Sequence, residues 1–156
     1  MNAVQAAERF LQLRRIAVVG VSRDERDFSR RVFQAFVDAG YDAVPVNPGA
    51  KEIAGRPAFA RVSEVSPPVE GVFLLVPPAV ADEVTGDALA AGVRQLWFQR
   101  GGGPGAASPA ALARCSAAGV TPVTDLCAFM MLPGAGWFHR LHASFRKRKL
   151  ARVAQA

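Results

Sequence analysis

A chain of 156 residues, 51% apolar and 21% charged, is long enough to bury one core and too apolar to be disordered. No apolar run approaches the roughly 18 residues that cross a bilayer, and Cys115 and Cys127 form neither a metal pattern nor a disulfide framework, so the expectation is a cytoplasmic protein with no membrane partner. The net charge of +6 is local: residues 1–125 balance, whereas Arg140, Arg146, Lys147, Arg148, Lys149 and Arg152 follow with no acid among them.

The opening MNAVQAAERFLQLRR patterns as an amphipathic helix with Val4, Ala7, Phe10 and Leu11 on one side, without the apolar centre of a signal peptide. Ile16–Val19 then runs straight into Gly20, as a parallel strand buried on both faces does. After a polar loop, Val32, Phe33, Phe36 and Val37 recur at helical spacing over Ser29–Ala39, and Gly40 stands where that helix would stop. Further strands are expected at Ala43–Val46, Gly71–Val76, Gln95–Phe98 and Val120–Val123. Helices are expected over Ala79–Ala91 and Pro109–Ala118, the second with Ser108 as N-cap and Pro109 as its first residue. Gly92 and Gly119, like Gly40, separate a helix from the next strand. Pro48–Pro68 is the least regular part, a loop with short turns around Phe59 and Val62. Leu126–Leu132 reads as a short helix, and a last helix from about Gly136 carries Trp137, Phe138, Leu141 and Phe145 on one face.

This alternation predicts an α/β protein, a Rossmann-like open parallel sheet of about five strands with helices on both faces, plus a C-terminal helical extension. Residues 1–132 would form the domain, and 133–156 a basic amphipathic helix packed on it. Ligands of such sheets bind beyond the carboxyl ends of the strands. Those ends read Gly20-Val21-Ser22-Arg23, Asn47-Pro48-Gly49, Pro77-Pro78, Gln99-Arg100-Gly101 and Thr124-Asp125-Leu126-Cys127. Strand, glycine turn and helix together present backbone N–H groups and a positive helix end to a phosphate. An NAD site fails on both halves of its fingerprint, since no second glycine follows Gly20 in register and the second strand ends in Asn47 rather than an acid. A P-loop, a Ser-His-Asp order, a metal cluster and paired carboxylates are likewise missing from the sequence. His139 and His142 could share a helix face, but with no carboxylate nearby they read as a surface pair.

The segments IAVVGVSRD, SRRVFQAFVDAGYDAVPVNPGAKEIAG, PPVEGVFLLVPP, LWFQRG and TDLCAFM resemble the stand-alone coenzyme A-binding domain family. That family is similar to the N-terminal nucleotide-binding domain of the succinyl-CoA synthetase α subunit. The resemblance runs from about Ile16 to Met130. Its most specific pieces are G-x-S followed by Arg31-Val32, the P-V-N-P of Pro45–Pro48, and the D-x-C of Asp125–Cys127. It implies that Gly20, Val21 and Ser22 meet the diphosphate of CoA through backbone N–H groups and the Ser22 hydroxyl. It also implies that Asn47 and Pro48 border the adenosine, Lys51 contacts a phosphate, Val76 and Pro77 line the adenine slot, and Gln99 and Arg100 flank the pantetheine arm. Arg23 and Arg31 would add local positive charge suited to phosphate oxygens, while Arg26 and Arg30 read as solvated surface charge. The run Gly101–Gly105 and the extension after Leu132 depart from the family.

The synthetase takes its phosphorylated histidine from a second domain not found here, so the expectation is non-catalytic binding of CoA or an acyl-CoA. Cys127 is the one candidate nucleophile, for thiol exchange or acyl transfer with CoA, against the plainer reading of an inert cysteine beside Leu126 and Phe129. Another nucleotide-binding regulatory module is a further alternative. Asp125 either orients a ligand hydroxyl or caps the following turn, and capping is the expectation. The expected partner is a small-molecule nucleotide. No nucleic acid is expected, because the FRKRKLAR run reads as a solvated helix end. A homodimer or a protein partner is left open.

Overall fold

The computed structural model describes residues 1–100 and 105–132. Its elements, in chain order, are α1 (Ala3–Phe10), β1 (Arg15–Val19), α2 (Phe28–Asp38), β2 (Asp42–Val46), the short pair β3 (Glu52–Ile53) and β4 (Arg56–Pro57), β5 (Gly71–Leu74), α3 (Pro78–Ala90), β6 (Leu96–Phe98) and α4 (Pro109–Ala117). Four strands make a parallel sheet in the order β2-β1-β5-β6. β3 and β4 form a separate antiparallel hairpin.

The unbroken apolar runs are explained by the two cores. In β1, Ile16 and Val18 enter one core, while Ala17 and Val19 enter the other. Phe73 of β5 and Trp97 of β6 share the first core with Phe10 of α1 and Phe33 and Phe36 of α2. Leu74 and Phe98 share the second with Ala81 and Ala88 of α3 and Ala111 and Cys115 of α4. Strands covered on both faces have no solvent side on which to place polar residues. Burial also pushes the Cys115 thiol pKa upward, which keeps it neutral.

Helix ends follow the local chemistry. Asp27 caps α2 by accepting the Ser29 N–H at 2.8 Å, and Ser108 caps α4 by accepting that of Ala111 at 3.1 Å. Gly40, Gly92 and Gly119 follow α2, α3 and α4 with positive φ, as expected of residues that end a helix. The buried side of α1 is Ala6, Ala7 and Phe10, with Val4 only partly covered.

Three expectations are corrected. The fifth strand, expected at Val120–Val123, is a single bridge of Val123 beside Trp97; Pro122 has no N–H and cannot extend a ladder. Its counterpart on the opposite rim is one bridge between Phe59 and Val46. The third strand of the main sheet stops at Leu74 rather than Val76. Leu126–Leu132 contains only a 3₁₀ turn, Ala128–Met130, not an α-helix. The C-terminal helix, its histidines, the basic run and Gly101–Pro104 lie outside the described residues. Among the described residues, no helix is long and apolar enough to cross a membrane.

Candidate functional site

The chain leaves β1 for β2 on one side and later returns to β5 on the other, so the carboxyl ends of β1 and β5 diverge at the switch point of the sheet. A cleft of about 490 Å³ opens there. Gly20 forms part of its floor, Asn47 and Pro48 one wall, and Val76, Val80 and Val84 the other. Gly20 is a backbone requirement as much as a spacer. Its φ is +96°, and a Cβ at this position would run into the carbonyl of Leu75.

The turn after β1 is internally wired. The Gly20 N–H donates to the Val46 carbonyl at 3.0 Å, and the Ser22 N–H donates to Ser29 Oγ at 2.8 Å. Ser29 Oγ in turn donates to Asp27 at 2.6 Å, and Ser22 Oγ accepts the Asp24 N–H at 3.0 Å. Two of the three amides expected to face a diphosphate are therefore already bonded. Among the described residues, the Val21 N–H has no hydrogen-bond partner, but Val21 is fully buried; the half-buried Ser22 hydroxyl keeps its own proton to donate. The start of α2 does not present an open positive end either. Asp27 occupies it, and its carboxyl is held below the usual carboxylate range by hydrogen bonds from the Ser29 hydroxyl and amide.

Asn47 joins the two loops. Its Nδ2 donates to the Val21 carbonyl at 2.9 Å, and its Oδ1 accepts the Gly49 N–H at 2.7 Å. Arg23, Arg31 and Lys51 are exposed and lie off the cleft wall, with Arg31 stacked 5.7 Å from the centre of the Phe28 ring. Pro77 is the residue before α3, next to the lining Val76.

At the far end, the side chain of Gln99 is engaged within the protein. It is buried, and its amide is spent on the loop that carries Cys127: Nε2 donates to Cys127 Sγ at 3.3 Å and Oε1 accepts the Ala128 N–H at 3.2 Å. Arg100 pairs with Asp125 at 3.5 Å. Asp125 has a φ of +58° and, among the described residues, accepts no backbone amide; Cys127, half-buried, precedes the 3₁₀ turn with no side-chain cap. Asp125 thus faces a cation instead of the amides of the next turn.

Three charged residues of the cleft were not expected. Arg61 comes from the irregular segment before the 3₁₀ turn Val62–Glu64, and Glu83 and Asp87 come from α3. Arg61 Nη2 donates to Asp87 Oδ1 at 3.0 Å, and the Ser63 N–H donates to Asp87 Oδ2 at 3.1 Å. Burial pushes the Asp87 carboxyl pKa upward, but the bonds from Ser63 and the charge of Arg61 outweigh it and leave that pKa below the ordinary value. A signal for this wall existed: Val80, Glu83, Val84 and Asp87 fall at i, i+3, i+4 and i+7, one stripe of a helix.

Known proteins resemble this chain in sequence and fold. A conserved hypothetical protein from Pyrococcus furiosus is 32% identical, over 73% of this chain and 95% of that one, with a TM-score of 0.67. A dinucleotide-forming acetyl-coenzyme A synthetase from Ca. Korarchaeum cryptofilum is 25% identical, with a TM-score of 0.64; the match spans 74% of this chain but only 26% of the synthetase. Bacillus subtilis (strain 168) YneT is 31% identical over 114 residues, covering 73% of this chain and 82% of YneT. The CoA binding domain model matches residues 14–133, and with that match, a parallel sheet and a cleft at its switch point, the chain belongs to the CoA-binding domain family.

Proposed function

We propose that the protein binds coenzyme A or an acyl-CoA without transforming it. The adenosine lies in the cleft, the diphosphate crosses the Gly20–Ser22 turn, and the pantetheine arm passes the ends of β5 and β6 toward Arg100. The carrying observation is the position of the cleft: Gly20 forms part of its floor, so a base held by Val76, Val80 and Val84 delivers its phosphates to the glycine turn, where the half-buried Ser22 hydroxyl has a proton to donate. The mostly aliphatic walls suit a flat heterocycle. Asn47 serves by fixing the two loops against each other rather than by holding a ribose. Calorimetric titration is expected to show heat on adding CoA and none on adding NAD. Equal responses, or no response to either, would end this reading.

A second reading has one observation in its favour, the bond from Gln99 Nε2 to Cys127 Sγ at 3.3 Å. That contact, together with the partial exposure of Cys127, places the sulfur at the end of β6. In this reading Cys127 attacks one sulfur of CoA disulfide, forming a mixed disulfide and releasing CoA thiolate. Mass spectrometry after incubation with CoA disulfide is expected to show one CoA added to the native protein and none to Cys127→Ser. An unmodified native protein disposes of the exchange.

A further inference from the structure

We infer that Arg61, held in place by Asp87, takes the phosphate on the ribose of coenzyme A and so separates CoA from nucleotides that lack it. The inference rests on the binding mode proposed above. Among the described residues lining the cleft, Arg61 is the one cation. Lys51, the lysine that the family resemblance points to, is exposed and is not part of the lining. A ligand whose base lies between the valines therefore meets Arg61 rather than Lys51.

Pairing with Asp87 does not consume Arg61. Both Asp87 oxygens are occupied, one by Arg61 Nη2 and one by the Ser63 N–H. The guanidinium uses one of its five N–H donors there, and among the described residues it makes no other hydrogen bond. Its remaining edge keeps the parallel pair of donors that fits two oxygens of a phosphate. Because Asp87 anchors the far nitrogen, the fork is oriented before the ligand arrives, and less side-chain freedom is lost on binding.

Exposure and charge fix which phosphate is meant. The Arg61 side chain is 57% exposed and the Asp87 side chain only 9%, so the guanidinium lies at the mouth of the cleft, where a phosphate keeps part of its hydration. The diphosphate is assigned to the Gly20–Ser22 turn, which leaves the ribose phosphate for the rim. Glu83, one turn before Asp87 on α3, lines the same cleft and repels an anion. That repulsion confines the phosphate to the Arg61 side.

The test titrates wild type, Arg61→Ala and Arg61→Gln with CoA and with dephospho-CoA, with thermal melting to confirm that each variant is folded. Wild type is expected to bind CoA about 10- to 100-fold more tightly than dephospho-CoA, the range of a charge-assisted bond. Both variants are expected to lose that preference while binding dephospho-CoA as wild type does. Asp87→Asn is expected to narrow the preference without removing it. If the Arg61 variants weaken both ligands equally, Arg61 stacks on the base or shapes the loop, and the assignment is overturned. Equal binding of the two ligands by wild type overturns it as well, while leaving CoA binding intact. A wild-type protein that binds neither ligand overturns both the assignment and the proposed function.

Discussion

Gly20→Ala is expected to destabilise the protein by about 2–3 kcal/mol and to remove CoA binding. For a chain of this size that is a fall of roughly 5–10 °C in Tm. Two effects add. The φ of +96° is strained for any residue with a Cβ, and that Cβ is aimed at the Leu75 carbonyl, a backbone atom that cannot swing aside. Gly40→Ala separates them. Gly40 has a φ of +93°, yet a Cβ there meets nothing within 4 Å, so its cost is the conformational part alone, about 1 kcal/mol. Thermal melts of both variants give the difference. If Gly20→Ala melts with Gly40→Ala and still binds CoA, the close approach of β1 to β5 is not what the site depends on.

Trp97→Ala is expected to cost more, about 3–5 kcal/mol, against the 5–15 kcal/mol that holds a typical domain together. Trp97 is fully buried, its ring centre 5.5 Å from that of Phe10 at a near-perpendicular angle and 5.6 Å from that of Phe73. It is thus the point where α1 is pinned to the sheet. Its Nε1–H donates to the Leu126 carbonyl at 3.0 Å, which ties the same side chain to the loop carrying Asp125 and Cys127. Trp97→Phe keeps most of the packing but leaves that carbonyl without its donor, at a cost of about 1–3 kcal/mol. Denaturant melts should rank the two variants in that order. Equal losses would mean that the hydrogen bond to Leu126 carries the stability and the packing of the ring does not.

Much of the fold was legible because it rests on periodicity. Ile16–Val19, Gly71–Leu74 and Leu96–Phe98 are apolar at every position or nearly so, which only a doubly covered strand tolerates. Glycines at 40, 92 and 119 marked where helices stop. The fifth strand misled because Val120, Val123 and their neighbours carry strand-like residues, while Pro122 removes the donor that a ladder needs. In the site, the elements were legible and the wiring was not. Gly20, Asn47, Pro48 and Val76 do line one cleft, because strand order brings their strand ends together. Nothing local announces that Ser29 rather than a ligand satisfies the Ser22 N–H, or that Gln99 spends both ends of its amide on the Cys127 loop. Arg61 and Asp87 lie 26 positions apart and meet only because α3 crosses over the irregular segment. Such pairings follow from tertiary placement, and residue spacing does not encode them.

The single-residue bridges at the two rims of the sheet have a consequence for the behaviour of many chains together. Beside β2, Phe59 takes the Asn47 N–H and the Pro45 carbonyl, Arg56 takes the Ala43 carbonyl, and Pro45 has no N–H to offer. Beside β6, Val123 takes the Phe98 N–H and returns its own to Leu96. A stranger's strand arriving at either side finds few free backbone groups to copy. A crowded solution of folded molecules therefore has little means of templating fibrils through this sheet.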